Sequence, residues 1–189
     1  NKVYIEDKQA AHLTNSADLG FNLKTKTDIF SSEIGLFNGE GYHSTSDGEG
    51  ISFEYRLTYH ALNSGKQKRK SDKEYLDISV FGITSPDDSK RGDDFDMNAF
   101  HIVYNNPLLL IAGQYVEADN GDKDKYAGDG YSINTEIRPF ESKKTFFIGR
   151  YDVWDQEDAG YKEGDHADVK TSILGLVHKY NSNVKFIGS

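Results

Sequence analysis

The sequence predicts an all-β fold, an antiparallel up-and-down transmembrane β-barrel, on three observations. About ten stretches alternate apolar and polar side chains, which is the period-2 pattern of a strand with two different faces. The links between them alternate between tight turns and long polar segments, as in barrels that carry turns at one end and loops at the other. No apolar run reaches the roughly 18 residues of a transmembrane helix, whereas a barrel strand needs only about 9–11 residues.

Composition agrees with such a barrel and excludes several other classes of protein. The hydrophobic content is 36% and the mean hydropathy is −0.70, as expected when only every second strand residue is apolar. Aromatic residues make up 13% of the chain, which argues against an acidic disordered protein. A net charge of −9 disfavours nucleic acid as a partner. The absence of Cys excludes disulfides and thiol catalysis.

Each predicted strand shows an alternation of apolar and polar side chains. Residues 16–24 place Phe21 and Leu23 on one face, and residues 28–37 place Ile34 opposite Glu33. The third segment has the clearest pattern, because its odd-numbered residues are apolar or aromatic and its even-numbered residues are polar. The third and later segments are residues 51–60, 74–84, 95–104, 108–117, 131–138, 144–154, 169–180 and a short 184–188.

The links divide into two sets. Tight turns are predicted at residues 25–27, 105–107, 139–143 and 181–183, and long links at 38–50, 85–94, 118–130 and 155–168. The long links are rich in Asp, which indicates a solvated rim or, alternatively, divalent-cation binding at a lipopolysaccharide-coated surface.

The link at 62–73 is long, yet it lies where a turn is required. Its basic residues are interpreted as a solvated turn, with contact to anionic groups on the periplasmic side as the alternative. These residues are Lys66, Lys68, Arg69 and Lys70.

Aromatic residues are frequent at the ends of the strands. Their position suggests girdles at the two membrane interfaces, although Tyr and Phe also favour strands in general. The residues concerned are Tyr59, Tyr75, Tyr104, Tyr131, Trp154 and Tyr180.

The polar faces of the strands supply the candidate pore-lining residues. Their charges are balanced in sign, so they form either mutually paired wall charges or, if Arg56, Arg138, Arg150 and Lys170 align on neighbouring strands, a track for anions. Arg150 and Asp152 lie two apart on one face, where each can pair with a residue on the neighbouring strand. The candidates are Glu54, Arg56, His60, Asp77, Glu136, Arg138, Arg150, Asp152 and Lys170.

No catalytic or cofactor-binding motif emerges, so we expect no enzymatic activity, cofactor or metal. The cluster His43, Ser44, Ser46 and Asp47 lies between glycines in a loop, which offers no rigid scaffold for a triad. Residues 119–124 lack the spaced Gly and distal Glu of an EF-hand. The six His residues show no close metal-ligand pairing.

Several short motifs follow one another along the chain. They are Ser16-Ala-Asp-Leu-Gly-Phe, Ile34-Gly-Leu-Phe-Asn-Gly-Glu-Gly41, Asn106-Pro-Leu-Leu-Leu, Gln114-Tyr115, Gly128-Asp-Gly-Tyr131, Arg138-Pro139, Gly149-Arg-Tyr-Asp152 and Gly175-Leu-Val-His-Lys-Tyr-Asn-Ser-Asn-Val-Lys185. Together these motifs resemble the phosphate-selective porin O/P family of Gram-negative outer membranes. The Gln at 114 stands where that family is expected to have Glu, and a basic ladder is not evident.

The resemblance implies a homotrimer of 16-stranded barrels in the bacterial outer membrane, of which residues 1–189 are a single barrel domain that is incomplete at both ends. It also implies a constriction formed by an inward-folded loop, for which residues 38–50 are one candidate. The expected solutes are small hydrophilic molecules or ions, including anions such as phosphate. Outer-membrane lipid and lipopolysaccharide are the other expected partners.

Two other functions stay open. A soluble β-barrel that binds a ligand or protein would place Phe53, Tyr55 and Leu57 in a dry core. An outer-membrane barrel hydrolase would use acidic and His side chains of the outer loops, for example His43 or Asp94.

Overall fold

The computed structural model describes residues 20–37, 51–86, 94–119, 127–140, 144–156, 169–181 and 184–188. These ranges form one sheet of ten antiparallel strands in chain order, without a helix. None of the described residues therefore belongs to a helix long and apolar enough to cross a membrane. The strands are β1 (Gly20–Lys26), β2 (Phe30–Phe37), β3 (Ser52–Leu62), β4 (Tyr75–Pro86), β5 (Asp94–Asn105), β6 (Leu109–Asp119), β7 (Gly128–Ile137), β8 (Thr145–Gln156), β9 (Val169–Lys179) and β10 (Lys185–Gly188).

The predicted all-β, up-and-down topology is confirmed: each strand pairs with the next one along the chain. The first tight turn lies two residues later than predicted. The Thr27 amide donates to the Phe30 carbonyl at 2.8 Å, and the Thr27 hydroxyl accepts from the Phe30 amide at 2.9 Å. Because Thr27 closes the turn with both groups, β1 continues through Lys26.

The two faces of the sheet are unlike, and the sheet is curved. One cavity is lined by residues of β1 to β7 that share a face, which requires that face to be concave. We call it the inner face, and the other the outer face. On β3, Ser52 and His60 are buried on the inner face, whereas Phe53 and Tyr59 are exposed on the outer face.

The outer face is apolar and exposed over all ten strands. Phe53 on β3 is 40% exposed, Ile133 on β7 is 43% exposed and Leu174 on β9 is 81% exposed. The faces of β6, which the sequence left unassigned, are now defined, with Ile111 and Tyr115 outside and Val116 inside.

The inner face has a polar half and an apolar half. The polar half adjoins the tight turns. Toward the long links lies a buried apolar cluster, so the inner face is not polar along its whole length, in contrast to the wet interior typical of a porin. The cluster consists of Phe95, Met97, Ala99, Val116, Ala118 and Trp154.

The prediction of aromatic girdles is wrong at two positions. Trp154 is 2% exposed and belongs to the apolar cluster, and Tyr75 is buried on the inner face beside Asp77. Both side chains point inward because their strand positions share the parity of inner-face residues. Tyr59, Tyr131 and Tyr180 are exposed, as a girdle would require.

Candidate functional site

The polar half of the inner face holds a cavity of about 540 Å³. Strands β1 to β3 contribute Lys24, Lys26, Glu33 and Arg56 to its wall, because inward positions recur at every second residue. The remaining polar lining includes Ser31, Thr58, His60, Arg69, Asp77, Ser79, His101, Gln114 and Asn134.

The cavity is positively charged although the chain is negatively charged overall. Among the described lining residues the permanent cations are Lys24, Lys26, Arg56 and Arg69, and the carboxylates are Glu33 and Asp77. The cations exceed the carboxylates by two, against a net charge of −9 for the chain. A cavity wall with an excess of one sign concentrates ions of the opposite sign. The described lining residues thus carry two more positive than negative charges.

Arg56 lies in the wall of the cavity between an acidic and an aromatic strand neighbour. Its strand neighbours are Glu33 on β2 and Phe81 on β4, and its guanidinium lies 5.1 Å from the centre of the Phe81 ring. The Glu33 carboxylate is already engaged by Lys24 at 2.6 Å. Within the described part of the chain, Arg56 forms no ion pair, so its charge is directed at the cavity.

Eight of the nine predicted pore-lining residues lie on the inner face. The structure brings six of them together in three ion-paired or hydrogen-bonded couples: His60 with Asp77 at 2.7 Å, Glu136 with Arg138 at 2.6 Å, and Arg150 with Asp152 at 2.5 Å. The other two are Glu54 and Arg56, both on β3.

Lys170 is the exception, and its prediction as a pore-lining residue is wrong. Val169 pairs with Trp154, so Val169 faces inward and Lys170 faces outward opposite Val153. The proposed cation track also does not form, because Arg56 lies on β3 whereas Arg150 lies on β8.

The pairing of Arg150 and Asp152 also differs from the prediction. They pair with each other along one strand rather than across strands. The cross-strand partner of Asp152 is the Ser132 hydroxyl, which donates to its carboxylate at 2.5 Å.

Arg69, which the sequence places in a solvated turn, is inserted into the inner face. Its Nε donates to Asp77 Oδ2 at 2.6 Å and its Nη2 to Asp77 Oδ1 at 2.7 Å. Its guanidinium also lies 4.8 Å from the centre of the Tyr75 ring. Two-point pairing with a carboxylate is the geometry for which arginine is suited, whereas the neighbouring lysines stay exposed.

Ser31, His60 and Asp77 form a chain of contacts that matches a hydrolase triad in outline. The His60 Nδ1 lies 2.7 Å from Asp77 Oδ1, and its Nε2 lies 3.2 Å from Ser31 Oγ. However, Arg69 Nη2 lies 2.9 Å from the same Nδ1. Its positive charge opposes the imidazolium that a general base must form, and it neutralises the Asp77 that would stabilise that imidazolium. The trio is therefore suited to fixing structure rather than to catalysis.

The link that carries Arg69 lies across the turn-side end of the inner face. We call residues 63–74 the plug segment. Its first part contacts the β1–β2 turn, since the Gly65 amide donates to the Asp28 carbonyl at 2.6 Å and Ser64 donates to the Asp28 carboxylate. Hydrogen bonding from Ser64, and then from Lys66 with its charge, lowers the pKa of Asp28 below its ordinary 3.8.

The far part of the plug segment contacts β5 and the end of β7. Arg138 donates to the Ser71 carbonyl at 3.1 Å, and Asn105 donates to the carbonyls of Lys70, at 3.3 Å, and Lys73. Asn105 is 0% exposed and Arg138 is 2% exposed. Inward side chains from β3 to the end of β7 thus hold one segment of twelve residues.

Other predicted features lie outside the described residues. They are the cluster at His43 to Asp47, the proposed constriction at 38–50, and most of the acidic segment at 119–124. Over the ranges that are described, no group of three or more His, Asp or Glu side chains is arranged to hold a metal ion.

Comparison with known proteins adds no relative: no protein-family model, no curated protein and no solved structure matches this chain.

Proposed function

We propose that this chain forms part of the wall of an outer-membrane porin, through which ions and small hydrophilic solutes diffuse, with a preference for anions. The observation that carries the proposal is the inverted polarity of the sheet. The outer face exposes large apolar side chains, and the turn-side half of the inner face buries charged and polar ones. Transmembrane β-barrels have this arrangement because lipid surrounds them and solute passes inside.

The same observation disfavours the soluble binding module. That function requires the face of Phe53, Tyr55 and Leu57 to form a dry core. Phe53 is instead 40% exposed, and these residues lie on the convex side. An exposed apolar surface of such extent is typical of contact with a membrane or a large partner rather than with water.

The preference for anions rests on the cavity charge. Lys24, Lys26, Arg56 and Arg69 outnumber the two carboxylates, and Arg56 is directed at the cavity without an ion pair among the described residues. Charged side chains lining a narrow pore determine which ions exchange their hydration for wall contacts. The resemblance to the phosphate-selective porin O/P family suggests the same sign, as well as a trimer of larger barrels.

The deciding experiment is the reversal potential of the full-length protein, of which this chain is the proposed wall segment, in a planar lipid bilayer under a KCl gradient. Stepwise channels with a reversal potential on the chloride side support an anion-preferring porin. Channels with a potassium preference would support the proposed pore but contradict the proposed preference for anions. An absence of channels from protein shown to be folded would reject the pore itself.

A further inference from the structure

We infer that the plug segment, residues 63–74, is a constriction of the pore, held in the permeation path by Arg69 at its middle and by Asn105 and Arg138 at residues 70–73. The inference rests on the proposed pore function. It assigns the narrowing to the turn side of the sheet, whereas the sequence suggested the long link at 38–50.

The first support is the position of the segment relative to the cavity. Gly65 and Arg69 are part of the cavity lining, so the segment closes the cavity toward the tight turns. A solute that leaves the cavity in that direction meets the plug segment.

The second support is that buried groups bind the middle and the far part of the segment. Arg69 has a two-point ion pair with Asp77, and its Nη1 also donates to the carbonyls of Ser64 at 3.1 Å and Gln67 at 3.2 Å. These last two bonds fold the segment around its own arginine. A solvated turn needs no such anchoring, and its side chains would point to water.

The third support is the distance that the contacts span. Neighbouring strands are about 4.8 Å apart, so in a flat sheet β3 and β7 would be separated by about 19 Å. Here residues from both strand ends, His60 and Arg138, touch a segment that is shortened by turns at 64–67 and 70–73. The sheet is therefore curled under the plug segment between β3 and β7, which draws this part of the wall together at the turn side.

The test compares Arg69→Met with Lys170→Met in planar bilayers. Both substitutions remove one positive charge, but only Arg69 anchors the plug segment, while Lys170 lies on the outer face. We expect Arg69→Met to raise single-channel conductance about twofold or more, because a released segment widens the path, and Lys170→Met to leave conductance near the wild-type value.

A second measurement covers the case in which Arg69→Met does not fold. The chain has no Cys, so Lys68→Cys and Lys144→Cys each introduce a single thiol at an exposed position on the turn side. A bulky thiol reagent is expected to reduce the current through Lys68→Cys and to leave Lys144→Cys unchanged.

The outcomes separate the two proposals. If the wild-type protein forms channels, but Arg69→Met does not change conductance and labelled Lys68→Cys is not blocked, the proposed constriction is wrong and the proposed porin function is unaffected. Equal block at both labelled positions would also overturn it, since the effect would then belong to the whole turn side. No channels from folded wild-type protein would overturn the pore and the constriction together.

Discussion

Arg69 and Asp77 form a two-point ion pair that joins the plug segment to the inner face, with Nε 2.6 Å from Oδ2 and Nη2 2.7 Å from Oδ1. His60 lies against the same carboxylate at 2.7 Å. The Asp77 carboxylate on β4 is thus contacted by His60 from β3 and by Arg69 from the link between the two strands. These contacts fix the position of the link relative to the β3–β4 hairpin.

Asp77→Asn is expected to lower the free energy of unfolding by about 2 kcal/mol, because it weakens charge-assisted hydrogen bonds at a site of which little is exposed. The matched control is Glu33→Gln, whose ion pair with Lys24 is exposed and should contribute less than about 1 kcal/mol. Denaturant titration followed by the fluorescence of Trp154, the only Trp, measures both. Equal losses would remove any special role of Asp77.

Ile133→Arg is expected to destabilise the protein in a lipid bilayer by about 2–4 kcal/mol, because Ile133 lies near the middle of β7 on the outer face. Asn134→Arg, one residue away and lining the cavity, should cost much less. Unfolding in lipid vesicles gives both values. If Ile133→Arg is harmless and Asn134→Arg is not, the outer face does not meet lipid.

Arg56→Glu is expected to move the reversal potential toward potassium and to leave folding nearly intact. The change turns an excess of two positive charges around the cavity into balance. Lys170→Glu is the matched control, since the same charge change on the outer face should leave ion preference unaltered. An equal shift in both variants would mean that selectivity arises from overall charge.

Gly65→Val is expected to displace the plug segment and to raise conductance. A Cβ atom at this position would overlap the His60 ring and the Thr27 carbonyl, and a backbone carbonyl cannot move as freely as a long side chain. Gly188→Val is a suitable control, because a Cβ there meets no atom within 4 Å. If the conductance of Gly65→Val equals that of the wild type, the substitution does not displace the plug segment or the segment does not limit conductance.

The contact between Asp28 and the plug segment should depend on pH only in acid. Hydrogen bonding from Ser64, and then from Lys66, lowers the pKa of Asp28 below 3.8. A carboxyl with a lowered pKa stabilises the folded state above its ordinary pKa, and that contribution is lost as the pH falls through the lowered value. Amide hydrogen exchange of Gly65 should therefore keep its protection factor between pH 7 and pH 5. A loss of protection in that window would contradict the assignment.

The sequence predicted the strands and most of the two faces because a strand has a period of two. On β3 the alternation is uninterrupted, and Glu54, Arg56 and His60 lie inside as expected. On β9 the consecutive apolar residues Ile173 and Leu174 obscure the period. Lys170 was therefore assigned to the wrong face, which only its register against β8 reveals.

The arrangement of the candidate site was less predictable. Arg69 lies in a link whose composition is that of a solvated turn, and only the position of Asp77 shows that its side chain points inward. Lys24, Lys26 and Glu33 are not among the predicted pore-lining residues, because nothing in the sequence shows that the sheet curves to bring them to the wall opposite β6 and β7.

The sequence by itself determined the fold class of the protein: the number and order of the strands, and an apolar outer face. The tertiary structure decided what fills the inner face. It placed a buried apolar cluster around Trp154 toward the long links and an anchored segment at the turns. The physical reason is curvature: it brings Arg138 to the Ser71 carbonyl across 67 positions of the chain, whereas local alternation relates only residues on the same or adjacent strands.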